Sequence, residues 1–146
     1  ATTHSKLMNS LMFGAYNSKF KDAKTPNDWI SSTPSRVREY TDDPLCGGPI
    51  SVGLADSMLN GMAQNQKMSN LKRMTKNLPV LFIAGQDDPV GAMGKGIHTS
   101  AKRFRKAGMQ SVKVQLCKGR HEILLEAHCK EIYETLLEFI KNCIIL

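Results

Sequence analysis

The chain has 146 residues and a formal net charge of +7, from 20 Lys and Arg against 13 Asp and Glu. That length suits one domain, the apolar share of 41% can fill a core, and the charged share of 23% is ordinary for a soluble fold. No apolar run approaches the roughly 18 residues that cross a bilayer, so no stable membrane insertion is expected. The first residues lack a basic start followed by an apolar stretch, and a cytoplasmic location is expected. Much of the charge falls on Lys95, Lys102, Arg103, Arg105 and Lys106. Nucleic acid or anionic lipid would be attracted to it. The one aromatic among these cations, Phe104, is on the stripe read as facing the sheet, and single-strand binding wants aromatics exposed beside the cations, so a solvated helix face and no nucleic-acid partner are expected. Cys46, Cys117, Cys129 and Cys143 lack zinc-type spacing and read as free thiols, with no metal and no cofactor expected.

Residues 1–14 read as a helix with Leu7, Met8, Leu11 and Met12 on one apolar face and Gly14 as its stop. Residues 15–50 read as irregular, broken by Pro26, Pro34, Pro44 and Pro49 and by Gly47-Gly48. Tyr16, Phe20, Trp29, Ile30, Val37, Tyr40 and Leu45 give this stretch anchors to bury, which suits a lid or binding segment. Ser35 is a candidate cap for a short helix through Tyr40. Residues 51–63 read as a helix carrying Leu54, Met58, Leu59 and Met62 on one stripe. Methionine fills irregular space, so Trp29, Leu54, Met58 and Met62 are the candidate wall of a pocket for a lipid-like acyl chain. Core packing is the alternative reading of the same stripe.

Residues 64–77 are polar apart from Leu71 and Met74. The run Val80-Leu81-Phe82-Ile83-Ala84, between Pro79 and Gly85, is apolar on both faces. That pattern predicts a parallel strand covered on both sides. A helix over 94–107 directs Ile97, Ala101 and Phe104 toward the sheet and ends at Gly108. Val112, Val114 and Leu116 alternate as a second strand, and Ile132, Leu136, Phe139, Ile140 and Cys143 mark a last helix over 129–143. Strand, helix, strand, helix makes a right-handed parallel unit.

In an open parallel sheet, reactive groups collect at the carboxyl ends of the strands. Gly85-Gln86-Asp87-Asp88-Pro89 leaves the first strand there, and Gly119-Arg120-His121-Glu122 leaves the second. A carboxylate and an imidazole at neighbouring exits are two thirds of a nucleophilic triad. The imidazole takes a proton from a hydroxyl and returns it to the leaving group, while the carboxylate orients the ring and stabilises the imidazolium. Asp87 and Asp88 compete for the carboxylate role, and Pro89 favours Asp88 by holding it extended. His4, His98 and His128 lack such a context and read as surface residues. No serine stands on a Gly-x-Ser-x-Gly elbow.

Five stretches carry a resemblance in consistent order: residues 13–20 (Phe-Gly-Ala-Tyr-Asn-Ser-Lys-Phe), 27–31 (Asn-Asp-Trp-Ile-Ser), 43–47 (Asp-Pro-Leu-Cys-Gly), 85–91 (Gly-Gln-Asp-Asp-Pro-Val-Gly) and 119–124 (Gly-Arg-His-Glu-Ile-Leu). Together they resemble the C-terminal half of an α/β-hydrolase of the lysophospholipase and monoacylglycerol-lipase type, a group also filed with serine aminopeptidase-like hydrolases. The resemblance implies residues 1–75 as a helix plus cap segment. It also implies 76–146 as the C-terminal part of the core, with strands seven and eight and flanking helices. It maps the triad acid to Asp88 and the histidine to His121, and puts the serine and oxyanion amides in the other half. One departure is local: Leu125 stands before Glu126 where the family often has Asn, which bears on the hydrogen bonding behind His121.

The expected function is therefore that of an ester hydrolase acting on monoacyl lipid-like esters, inactive as this chain alone. A missing first half of the fold, or self-association along an open sheet edge, is the expected partner. A non-catalytic binding module and a basic nucleic-acid binder are the competing readings.

Overall fold

The computed structural model describes residues 3–144. Its centre is a parallel pair of strands, β1 (Val80–Gly85) and β2 (Val112–Cys117), registered from Val80 opposite Val112 to Gly85 opposite Cys117. Helix α5 (Lys95–Lys106) connects them and packs on one face. Side chains alternate along a strand, so Val80 and Phe82 of β1 and Val112 and Val114 of β2 face α5. They meet Ala101, Phe104, Met74 and Met109 there. The Phe82 and Phe104 rings pack edge-to-face with centroids 5.0 Å apart, worth roughly 0.5–1.5 kcal/mol beyond area burial.

The opposite face is less covered than the apolar run of β1 predicts. Val80 to Ala84 are each half-buried, and only Gly85 is buried. Two strands form the whole sheet among the described residues, too narrow a layer for a helix to seal. Helix α6 (Cys129–Ile144) buries Ile132 fully and Leu136, Phe139 and Cys143 in part, but leaves Ile140 half exposed. A groove of about 320 Å³ runs between α6 and the strands, lined by Leu81, Val114, Thr135 and Phe139 among others.

The first two residues of the expected N-terminal helix lie outside the described residues. Helix α1 spans Lys6–Phe13 and starts later than expected because Ser5 caps it, its hydroxyl accepting from the Met8 amide at 3.2 Å. His4 instead bridges to Ser51. The apolar face of α1 is split: Met8 and Met12 are half-buried, while Leu7 and Leu11 are exposed. The stretch expected to be irregular contains a 3-10 turn, Tyr16–Lys19, and helix α2, Pro34–Asp42. Thr33 rather than Ser35 precedes that helix, and Pro34 takes its first position, where a missing N–H costs nothing. Helix α3 (Val52–Asn65) begins at Ser51, whose hydroxyl accepts from the Leu54 amide. A short α4 (Met68–Leu71), unforeseen in the polar stretch, buries Leu71. All four cysteines are free thiols. Among the described residues no helix is long and apolar enough to cross a membrane.

Candidate active site

Gly85 ends β1, and the chain leaving β2 crosses directly over it. A Cβ on Gly85 would collide with the carbonyl oxygens of Arg120 and Gly119 and come within 2.8 Å of the Gly119 carbonyl carbon. Only glycine permits so close a backbone approach. The two exits are then laced together. The Gln86 amide donates to Cys117 O at 2.8 Å and the Asp87 amide to Gly119 O at 3.0 Å.

This crossing brings the Asp88 and His121 side chains into contact, with His121 Nδ1 3.2 Å from Asp88 Oδ1. Asp88 is buried, at 6% relative exposure. Its Oδ1 also accepts from the Val90 amide at 2.9 Å, and its carbonyl accepts from the Met93 amide at 2.8 Å. Asp87, the competing carboxylate, stands one residue earlier and is held through its backbone amide. Among the described residues its carboxylate makes no hydrogen bond or ion pair with the imidazole. The His121 side chain is 39% exposed, and its Nε2 has no hydrogen-bond partner among the described residues. Its hydrogen bond to Asp88 raises the imidazole above its ordinary value. Burial opposes this, and the negative charges of Asp88 and Glu122 add to the rise. Such a pair can orient an imidazole and stabilise its protonated form.

Residues that sequence reading did not single out for the site fix the histidine loop from behind. The Glu126 carboxylate is 1% exposed and spans two distant parts of the chain. Oε1 accepts from the amides of Ser32 and Arg120, each at 2.9 Å. Oε2 accepts from the hydroxyls of Ser31, Ser32 and Thr33 at 3.0, 2.7 and 3.0 Å. Burial pushes the pKa of this carboxyl up, but the Arg120 and Ser32 amides and the Ser32 and Ser31 hydroxyls outweigh it and hold it below the usual range. The Thr33 hydroxyl donates to Glu126 and accepts from the Ala127 amide, and it makes no capping bond to α2. Arg120 donates from Nη1 to Asp28 O at 2.6 Å and lies 3.9 Å over the Phe20 ring. The one sequence signal for this network was Glu126, two residues past the 119–124 motif, and a distant Ser-Ser-Thr run at 31–33. Their pairing requires the fold.

Trp29 stands beside the histidine, with ring centroids 5.2 Å apart. The Trp29 carbonyl accepts from the His121 amide at 3.4 Å, and the Ile30 carbonyl accepts from the Glu122 amide at 2.8 Å. Trp29 also lines a cavity of about 490 Å³ with Asn9, Phe13, Asn17, Asn27 and Tyr40 among its other walls. Asn17 ties down the Trp29 backbone, its Oδ1 accepting from the Trp29 amide at 2.9 Å. Leu54, Met58 and Met62 do not line this cavity. They lie on α3, with Leu54 and Met62 each 49% exposed and Met58 half-buried. Of the remaining histidines, His4 and His98 are exposed, and His128 Nε2 lies 2.7 Å from Lys118 O. No group of three His, Cys, Asp or Glu side chains among the described residues is placed to hold a metal ion.

A parallel strand pair that presents a carboxylate and a histidine at adjacent exits, preceded by a helical segment that walls a cavity, defines part of an α/β-hydrolase. Residues 1–128 match the family described as serine aminopeptidase, S33, and the chain belongs to that family. Among solved structures it is similar to a highly thermostable carboxyl esterase from Bacillus coagulans in complex with glycerol. The identity is 26% and the TM-score 0.83, over 97% of this chain and 46% of that one. It shares its fold with an open form of a lipase, at 23% identity and TM-score 0.85, over 97% of this chain and 46% of that one. The same holds for the monoacylglycerol lipase of Paleococcus ferrophilus, at 19% identity and TM-score 0.62, over 95% of this chain and 55% of that one. The chain thus spans about half the length of these solved relatives. No curated protein matches it.

Proposed function

We propose that this chain supplies the general base and its orienting carboxylate to a serine ester hydrolase. The proposed substrates are monoacyl lipid-like esters, of the kind cleaved by lysophospholipases and monoacylglycerol lipases. The observation that carries this reading is the 3.2 Å contact between Asp88 and His121 at the carboxyl edge of two parallel strands, in a chain of the S33 family.

A serine hydroxyl from the part of the fold that this chain does not span attacks the ester carbonyl. Its proton passes to His121 Nε2, and Asp88 stabilises the resulting imidazolium through Nδ1. Collapse of the tetrahedral intermediate breaks the bond to the alcohol, which leaves with the proton from Nε2. Water then repeats the sequence on the acyl-serine, using His121 again as base. Trp29 and the cavity beside it receive part of the substrate. Its lining is largely aromatic and carboxamide side chains, which suits an uncharged ester. The free edge of β1 pairs with a strand of the remaining fold, since unpaired strand edges seek partners.

Hydrolysis of p-nitrophenyl esters and of a monoacylglycerol by the complete fold tests the reading. His121→Ala should lower kcat by about a thousandfold or more; a loss smaller than about tenfold removes His121 from the mechanism. The 146-residue chain alone should not react with a fluorophosphonate, and stoichiometric labelling would show that it holds its own nucleophile.

A further inference from the structure

We propose that Glu126 is a positioning residue: its buried carboxylate ties the Arg120 amide to residues 31–33 and so fixes where the His121 ring stands over Asp88. The inference rests on the reading of His121 as the proton carrier.

The carboxylate sits where a length of backbone would otherwise be needed. Ionised, it offers about four lone-pair directions and no donor. All the groups that surround it donate: two amides and three hydroxyls. The Arg120 amide belongs to the residue just before His121. The other donors, Ser31, Ser32 and Thr33, follow directly on Trp29 and Ile30, whose carbonyls accept from His121 and Glu122. Glu126 therefore closes a ladder in which residues 29–33 run alongside residues 120–122. Thr33 extends it, since its hydroxyl also accepts from the Ala127 amide at 3.0 Å. Gly119 makes room for this arrangement. Its φ is +126°, and a Cβ there would meet Glu126 Cγ at 2.9 Å.

Glu126 reaches the imidazole only through this ladder. Arg120 anchors the same strip from its other side, bonding the carbonyls of Asp28 and Ser31 at 2.6 and 3.4 Å. With Glu126 in place, the histidine loop has one position relative to Trp29, and its ring can reach Asp88. Without it, two amides and three hydroxyls lose the acceptor they share. Water entering to satisfy them would spread the strip apart.

Reach and charge can be separated. Glu126→Asp keeps the charge and shortens the side chain by one methylene, so it cannot hold both the Arg120 amide and the 31–33 hydroxyls. Glu126→Gln keeps the length. Its oxygen still accepts from the Arg120 and Ser32 amides, and two of the three hydroxyls can turn to accept from its NH2. The readout is the His121 imidazole titration by NMR on the purified protein. It needs no turnover, so failure here is distinct from failure of the hydrolase reading. The charged groups beside the ring are Asp88 and Glu122, both unchanged in every variant. In Glu126→Asp the His121 midpoint should fall toward the ordinary imidazole value, while Glu126→Gln stays near native. A native midpoint in the Asp variant, or a fall in Gln as large as in Asp, overturns the proposal. The second result would mean that charge acts through space. Should Glu126→Asp fail to fold, Ser32→Ala removes one hydroxyl from Oε2 and should lower the midpoint less, in the same direction. An unchanged midpoint there overturns the proposal equally.

Discussion

Gly85→Ala tests the crossing on which the whole site depends. The added methyl would overlap the Arg120 and Gly119 carbonyl oxygens. Neither side can yield freely, because the Gln86–Cys117 and Asp87–Gly119 hydrogen bonds, at 2.8 and 3.0 Å, clamp the two exits together. Restoring ordinary contact requires the histidine loop to retreat by on the order of 1 Å. That would lengthen both clamping bonds and the 3.2 Å contact between His121 and Asp88 beyond useful range. Two weakened hydrogen bonds at about 1 kcal/mol each, with overpacking strain of roughly 1–3 kcal/mol, give a loss of about 3–5 kcal/mol. Alanine's lower backbone entropy returns only about 0.5–1 kcal/mol. The net cost is a large share of the roughly 5–15 kcal/mol that holds a domain together. Urea unfolding followed by the fluorescence of Trp29, the single tryptophan, measures it. The His121 titration reports the site in parallel. A loss below about 1 kcal/mol with a native His121 midpoint would refute the claim that the crossing is this tight.

Two further outcomes follow from local geometry. Met93 has φ +54° and Ala92 φ +51°, ahead of Gly94 at +82°; left-handed backbone costs a non-glycine residue about 1–2 kcal/mol. Met93 is 37% exposed, so Met93→Gly forfeits little packing. Against a glycine entropy cost of about 0.5–1 kcal/mol, it should raise stability by about 0.5–1 kcal/mol; a lower urea midpoint would show that the methionine contacts outweigh the strain. The His121–Asp88 pair has a definite pH signature. The folded imidazole lies above its unfolded value, so the pair's contribution is fully present below about pH 6.5 and is lost as pH rises through the raised midpoint. The stability gap between native protein and Asp88→Asn should therefore be wider near pH 5.5 than near pH 9, and a gap that does not change with pH would refute the linkage.

The core strands and the acid–histidine pairing were legible because each is written locally. Val80 to Ala84 is an apolar run between Pro79 and Gly85, and the two reactive loops each follow a strand directly. The covering of β1 on both faces was not legible in the same way. An apolar run states what a strand prefers to contact, and the described residues provide that contact mainly on the α5 side. The Leu54, Met58 and Met62 stripe shows the same gap. Its helical spacing was correct, but periodicity gives a face and not a direction, and α3 turns much of that face outward. The polar work behind His121 escaped for another reason. Leu125, which stands where the family often has Asn, is 43% exposed and contributes its amide to a 3-10 turn through Glu122. Glu126 does the bonding instead, to partners more than ninety residues earlier.

That long-range tie changes which residues should matter to the chemistry. His121 is reached from three sides: by Asp88 from the β1 exit, by Trp29 and Ile30 along the 29–33 strip, and by Glu126 through Arg120. Only the first lies in the core half of the sequence on its own. The other two draw residues 29–33 into the placement of the imidazole, and the same segment, through Trp29, walls the cavity. A change made to shape the cavity at Trp29 therefore cannot be independent of the histidine, because the Trp29 carbonyl accepts from the His121 amide. The cavity wall and the position of the imidazole are coupled here by shared backbone, whereas changes on the outer face of α3 leave that ladder untouched.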